Sequence, residues 1–300
     1  MFKTRFTPTK VIVDLSYLVH YRVAASYKFY NSTFEELPYT TENIQDYDWA
    51  SDDEFIRMYE YNFLKNLENV LKKHKVSWRD VILAKDCSKK NIWRKDLLPI
   101  YKDNRIISEE EQKGNPNFGT VWNYTYKHLI PKICEDKGCN LIENRSLEGD
   151  DIIAVLKKYI RRADPKQKIV ICANDSDLAQ LVTDDYTSIW DLKVENVDQK
   201  VLTKYGGSSQ NIVKVKCISG DAKDNVDQSF YRVGVKTALK MLADSELFNK
   251  HLEKNPDALT TMALNEKLLD FKHIPSILAA DVEKQYREKV LGIGEDLLDL

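Results

Sequence analysis

The carboxylates of this chain fall where a metal ion could use them. Val11-Ile12-Val13 runs directly into Asp14, and Val81-Ile82-Leu83-Ala84-Lys85 runs into Asp86. Ile169-Val170-Ile171-Cys172-Ala173-Asn174 runs into Asp175 and then Asp177. Glu148-Gly149-Asp150-Asp151 stands just before an apolar periodic stretch that starts at Ile152. Asp221 and Asp224 are three apart in Gly220-Asp221-Ala222-Lys223-Asp224-Asn225, on one face if that turn is helical. Like charges packed so closely repel, and each resists losing its water; divalent cations are the usual remedy. Oxygen ligands with no His or Cys among them favour hard Mg²⁺ or Mn²⁺ over zinc. The pattern implies a metal site, with calcium or nucleotide binding left open.

A single Asp after a strand is most often a turn former or a helix N-cap. Asp175 or Asp177 could cap a helix beginning near Leu178, and Asp150 or Asp151 the one at Ile152. A shared site is favoured by the coincidence of five acidic motifs, three of them at strand ends. In a parallel sheet those ends share one edge, where open α/β folds place their ligands.

The elements that would carry these acids are legible as periodic runs. Val11–Val13, Val81–Ala84, Lys168–Cys172 and Thr187–Trp190 read as strands, and Asn140–Ile142 as a short fifth. Helical spacing of apolar residues marks Glu54–Lys75, Trp122–Asp136 and Ile152–Arg162. Strands alternating with helices imply a parallel sheet, and after about residue 210 only short helices follow. Tyr27–Asp53 is polar and aromatic-rich and reads as a long surface connection; Ile106–Gly119 has little apolar content and reads as a mobile loop.

Composition sets outer bounds. Three hundred residues, 43% hydrophobic and 31% charged, suit one large core or a core with an attached lobe. No apolar run approaches the roughly 20 residues that span a bilayer, so a cytoplasmic protein with no membrane partner is expected. The five cysteines are scattered, without a C-x-x-C pair, and read as reduced thiols. The net charge of −2 argues mildly against nucleic acid, yet basic residues cluster. Lys89, Lys90, Arg94, Lys95, Lys102 and Arg105 form one run; Lys157, Lys158, Arg161, Arg162, Lys166 and Lys168 form another. Each run is either a phosphate-tracking surface or a solvated helix face.

In order along the chain, the motifs V-I-V-D at Asp14, the strand ending at Asp86, W-R-K-D-L-L-P-I-Y-K-D-N-R from Trp93 to Arg105, L-E-G-D-D from Leu147, N-D-S-D from Asn174 and I-S-G-D-A-K-D-N from Ile218 resemble the 5′ nuclease (flap endonuclease) superfamily. Within it, the match is to the T-even phage ribonuclease H type. The resemblance covers roughly Val11 to Met241, with a weaker echo to about Tyr286. Each motif alone is weak; the ordered set is specific.

The resemblance implies a PIN-like 5′ nuclease fold, α/β with a central, mainly parallel sheet flanked by helices. It implies a core over residues 1–210, with a helical arch near 90–130, and a helical, helix-hairpin-helix-like DNA-binding region over 211–300. Asp14, Asp86 and Asp150 would hold the catalytic ion. Glu148, Asp175, Asp177 and Asp221 would hold or orient a second, with Asp151 and Asp224 supporting. Two Mg²⁺ ions are implied, with Mn²⁺ able to substitute. Lys102 and Arg105 match a basic pair that contacts the scissile phosphate; Arg94 is a lesser candidate whose alternative is a plain helix surface. Of the family's glycine-rich hairpin only G-V-K-T-A from Gly234 survives, which leaves Gly234, Lys236 and Thr237 as phosphate contacts and puts a K⁺ site in doubt. The implied activity is 5′ to 3′ exonuclease and flap endonuclease cleavage of duplex DNA and RNA–DNA hybrids by a monomer, as in removing RNA primers and 5′ flaps in replication.

Two rivals share the fold: a catalytically inactive, structure-specific DNA-binding subunit, which should lack acids that are present here, and a shorter PIN-type ribonuclease without an arch. The acidic, leucine-rich tail Gly294–Leu300 reads either as a frayed helix end or as a docking segment for a sliding clamp or single-strand-binding protein.

Overall fold

In a parallel sheet covered on both faces, alternate residues of each strand enter opposite cores. The strands here do so. β1 (Lys10–Asp14), β2 (Val81–Lys85), β3 (Asn140–Glu143), β4 (Ile169–Cys172) and β5 (Thr187–Trp190) form one sheet, ordered β3-β2-β1-β4-β5, with every pair parallel. Val11 and Val13 enter one core with Val81, Leu83, Val170 and Cys172. Ile12 enters the other with Ile82, Ala84, Ile169 and Ile171. The computed structural model describes residues 8–105 and 114–293. The expected loop Ile106–Gly119 lies outside them as far as residue 113, and the tail Gly294–Leu300 lies outside them entirely.

The first core is covered by α1 (Leu15–Thr33), α2 (Asp53–His74), α3 (Gly119–Tyr124) and α4 (Ile130–Lys137). A π-helical turn, Thr125–Leu129, joins α3 to α4 where one uninterrupted helix was expected. Pro131 has no N–H to offer the carbonyl of Lys127, and the ladder widens in the turn before it. The other core is covered by α5 (Gly149–Ala163). The chain then forms α6 (Asp198–Lys204), α7 (Gln210–Ser219), α8 (Val235–Ala243), α9 (Ser245–Leu252), α10 (Ala258–Leu269) and α11 (Ser276–Gln285). Phe230, Ala238, Met241, Ala258, Val282 and Tyr286 from this last stretch belong to the same apolar cluster as Ile12 and Ile152.

Tyr27–Asp53 departs from the expected surface connection. α1 continues to Thr33, and Trp49 is fully buried among the rings of Tyr27, Tyr30, Tyr39, Tyr47 and Phe55, at centroid separations of 4.9 to 6.2 Å. Aromatic side chains bury large areas without a regular spacing, so a search for periodicity passes over them. Among the described residues, all five cysteines are free thiols and no helix is long and apolar enough to cross a membrane.

Candidate active site

β1 lies between β2 and β4, where the chain order reverses, so the C-terminal ends of these three strands open onto one crevice. Asp14 closes β1 and also caps α1, accepting the Tyr17 N–H at 3.0 Å. Capping and site roles therefore coexist in one carboxylate. Burial, then the neighbouring Asp86, pushes its pKa up to about 7. Asp86, just past β2, accepts the N–H of Gly149. A Cβ at Gly149 would stand 3.2 Å from Asp86 Oδ1 and 3.3 Å from the Ala84 carbonyl, so glycine lets α5 start against the end of β2. Asp150 follows in the first turn of α5; burial, then Glu148 and Asp151, drives its pKa well above the usual range. These acids and Asp175 line a cavity of about 640 Å³ together with Glu148, Lys102 and Arg105. Among the described residues, no Lys, Arg or His comes within ion-pair distance of Asp14, Asp86, Asp150 or Asp175.

The other predicted acids are already compensated. The W-R-K-D-L-L-P-I-Y-K-D-N-R segment folds into short 3₁₀ turns at Trp93–Asp96 and Asp103–Arg105, which bring its cations under and beside the crevice. Arg94 is buried. It donates to both oxygens of Asp151 at 2.7 and 2.8 Å, to Glu148 at 3.0 Å and to the Leu268 carbonyl at 2.6 Å. Trp93 Nε1 adds a bond to Asp151 at 2.9 Å. The Lys102 ammonium bonds to Glu148 and lies 3.8 Å from Asp224, while its backbone N–H donates to the Asp224 carbonyl at 3.0 Å. Burial opposes the Lys102 charge, but Glu148, Asp150 and Asp224 outweigh it and hold the ammonium well above its ordinary pKa. Arg105 pairs with Asp224 and donates to the Lys223 carbonyl at 3.1 Å.

A second group of acids sits beside the first. Asp175 caps the 3₁₀ turn Ser176–Leu181 by accepting the Asp177 N–H at 2.8 Å. Asp177 and Asp221 share the ammonium of Lys216, which reaches Asp221 Oδ2 at 2.5 Å. Burial raises Asp177 to about 6 against the pull of Lys216; for Asp221 burial also pushes upward, but Lys216 outweighs it and the pKa falls below the usual range. Oxygens of Glu148, Asp150 and Asp151 lie within 4.8 Å of one another, as do those of Asp177, Asp221 and Asp224.

A family profile described as 5′-3′ exonuclease, N-terminal resolvase-like domain, matches residues 44–206. The chain belongs to this family. It is 28% identical over 186 residues to a 5′-3′ exonuclease of Buchnera aphidicola subsp. Schizaphis graminum, a match covering 61% of this chain and 58% of that one. It is 26% identical over 236 residues to the ribonuclease H of Enterobacteria phage T4, covering 73% of each. Its fold matches the T5 D15 flap endonuclease, solved as a pseudo-enzyme–product complex with DNA and metal ions, at a TM-score of 0.64 and 16% identity over 94% of this chain and 99% of that one.

The exonuclease profile spans Asp86, Glu148, Asp150, Asp151, Asp175 and Asp177, with Arg94, Lys102 and Arg105; the structure adds Asp14 to the cavity and Asp221 to an adjoining cleft that shares Asp175 and Arg105 with it. Of the expected hairpin contacts, Gly234 caps α8 and borders a cleft that also reaches Asp177 and Asp221, Lys236 is exposed, and Thr237 is half-buried. In the second basic run, Arg161 is taken up by Asp184 and Arg162 by Glu283. Sequence reasoning passed over Lys216. Trp122 and Tyr126 pack against the first core and also line the cavity, with His20 edge-on to Trp122 at 4.5 Å. The available signal for Lys216 was a lysine set directly between apolar residues, Val215 before it and Cys217 and Ile218 after it, all of them buried.

Proposed function

We propose that this chain is a divalent-metal-dependent 5′ nuclease, a 5′ to 3′ exonuclease and flap endonuclease acting on duplex DNA and RNA–DNA hybrids. The observation that carries the reading is that Asp14, Asp86 and Asp150 converge on one cavity and, among the described residues, have no cation paired to any of them. The electrostatic cost of such a site is offset when a cation enters it, and the oxygen-only donor set suits Mg²⁺, with Mn²⁺ as substitute. Asp14, Asp86 and Asp150 would hold the first ion; Glu148, Asp175, Asp177 and Asp221 would hold or orient the second, with Asp151 and Asp224 supporting. When bound, such ions supply Lewis acidity toward a phosphate and lower the pKa of water toward neutrality.

The chain's own cations do the rest. Lys102 and Arg105 place positive charge on the cavity wall, where the non-bridging oxygens of a scissile phosphate would lie. Arg94 does not reach the cavity, so its role is to hold Glu148 and Asp151 in place. Gly234, Lys236 and Thr237 present a helix start and a cation to the backbone of a bound duplex. A role in removing RNA primers and 5′ flaps during replication draws support from relatives named 5′-3′ exonuclease and ribonuclease H; a cytoplasmic setting belongs to the same proposal, and the tail Gly294–Leu300 is the proposed contact for a sliding clamp or single-strand-binding protein.

Cleavage of 5′-labelled blunt, flapped and RNA-primed duplexes, with Mg²⁺ and with EDTA, tests the reading. Asp86→Asn keeps an oxygen for the Gly149 N–H and should lose turnover by orders of magnitude with its fold intact and DNA binding little changed. Near-normal cleavage by that variant rules the assignment out.

A further inference from the structure

The second carboxylate group differs from the first in that it already contains a cation. Lys216 projects from α7, whose neighbours Ile212, Val215, Cys217 and Ile218 are buried, and is itself only 7% exposed. Its ammonium bonds to Asp177 and, at 2.5 Å, to Asp221. A divalent ion held by those two carboxylates would sit against the same oxygens, beside a fixed positive charge in a site poor in water, where like charges repel strongly. The first group has no equivalent: among the described residues, no cation pairs with Asp14, Asp86 or Asp150.

We infer that Lys216 is an internal counter-ion of the second carboxylate group, and that an ion binds there only by displacing it. The inference rests on the metal-dependent reading above. The space for displacement exists. Lys216 borders a cleft of about 260 Å³ that runs from Asp177 and Asp221 past Lys204 and Lys223 to Gly234 at the start of α8. In that cleft the ammonium leaves the carboxylates and faces the side on which a phosphate backbone would lie. The first ion therefore binds the free protein tightly and the second weakly, and substrate phosphate favours the second ion by taking up the displaced charge. The full site assembles with DNA present.

The test is a calorimetric Mn²⁺ titration of the full chain without DNA, comparing wild type with Lys216→Met, Lys216→Arg and Asp86→Asn. Wild type should show one tight and one weak ion. Lys216→Met, of similar length without the charge, should tighten the weak ion at least roughly tenfold, the factor for one unit of lost charge coupling. Lys216→Arg should leave it weak. An unchanged or weakened second ion in folded Lys216→Met overturns the inference. Should Lys216→Met unfold without metal, Mn²⁺ should restore its thermal transition, and failure to do so equally overturns it. Asp86→Asn separates the two readings: if it keeps the tight ion, the metal-dependent nuclease reading fails; if it loses that ion while Lys216→Met matches wild type, only the role of Lys216 fails.

Discussion

Arg94 and Asp151 form a two-bond pair, 2.7 and 2.8 Å, beneath the first turn of α5, with Asp151 fully buried and Arg94 nearly so. Asp151 also accepts the backbone N–H of Glu148 at 3.3 Å, so the pair fixes the stretch of chain that carries Glu148 and Asp150 into the cavity. The planar guanidinium reaches Asp151, Glu148 and the Leu268 carbonyl at once, which ties the sheet edge to α10.

Removing the Arg94 charge should therefore damage the fold before it damages the chemistry. Arg94→Met leaves the buried Asp151 without a cation and Glu148 with Lys102 alone, and should cost about 3–5 kcal/mol in urea unfolding. Arg94→Lys should recover little of that loss, because an ammonium cannot reproduce the fork. Wild-type stability in Arg94→Met would mean that the carboxylates find another partner.

The rim of acids was legible because each strand is a short apolar run read without knowledge of its neighbours, and parallel pairing then places the ends together. The same reasoning could not reach Arg94 or Lys216. In W-R-K-D and V-K-V-K-C, each cation looks like part of a solvated helix face, and its burial is decided by Leu268 in one case and by Asp177 in the other, both distant in sequence. α1 escaped notice for a related reason. Its buried residues Leu15, Leu18, Val19, Val23 and Tyr30 keep helical spacing, but further tyrosines and Phe29 occupy its other faces and blur the pattern.

Gly220 is required by backbone geometry at the second carboxylate group. Its φ is +69°, and a Cβ there would stand 2.6 Å from the Val226 carbonyl. The turn it permits brings Asp221 and Val226 into reciprocal backbone bonds of 2.9 and 3.0 Å, which set the direction of the Asp221 side chain. Gly220→Ala should lower stability by at least about 1–3 kcal/mol and weaken the second Mn²⁺ in calorimetry while sparing the first. Unaltered unfolding would show that the turn relaxes without cost.

The metal-free protein should become less stable as pH rises toward neutrality because of Asp14. Its folded pKa, raised to about 7, lies above the ordinary carboxylate value, so the native state holds a proton that the unfolded chain releases. The stability this contributes is complete below about pH 4, the unfolded value, and is lost as pH climbs through about 7. Asp14→Asn keeps an acceptor for the Tyr17 N–H and mimics the neutral acid. In EDTA it should match wild type near about pH 4 and exceed it by a few kcal/mol at about pH 8. Saturating Mg²⁺ should reverse the order at the higher pH, since the ion binds the carboxylate and not the amide. A wild-type advantage at the higher pH in EDTA would contradict the shift.

Lys102 should act on the transition state more than on affinity. Its φ of +60° is uncommon for a residue with a side chain, and the bond from its N–H to the Asp224 carbonyl holds it there. The side chain is only 12% exposed, so its ammonium is fixed before substrate arrives, which is what makes a charge effective against developing negative charge. Lys102→Ala should lower kcat by about 10²-fold or more, with the salt dependence of binding nearly unchanged. Arg105, at 42% exposure, reaches further toward solvent, and Arg105→Ala should take a larger share of its loss from affinity and flatten the salt dependence. Single-turnover rates and binding isotherms across a salt series separate the two. If Lys102→Ala changes only affinity and its salt slope, Lys102 is a distant phosphate contact, and the cavity wall must find its transition-state charge elsewhere.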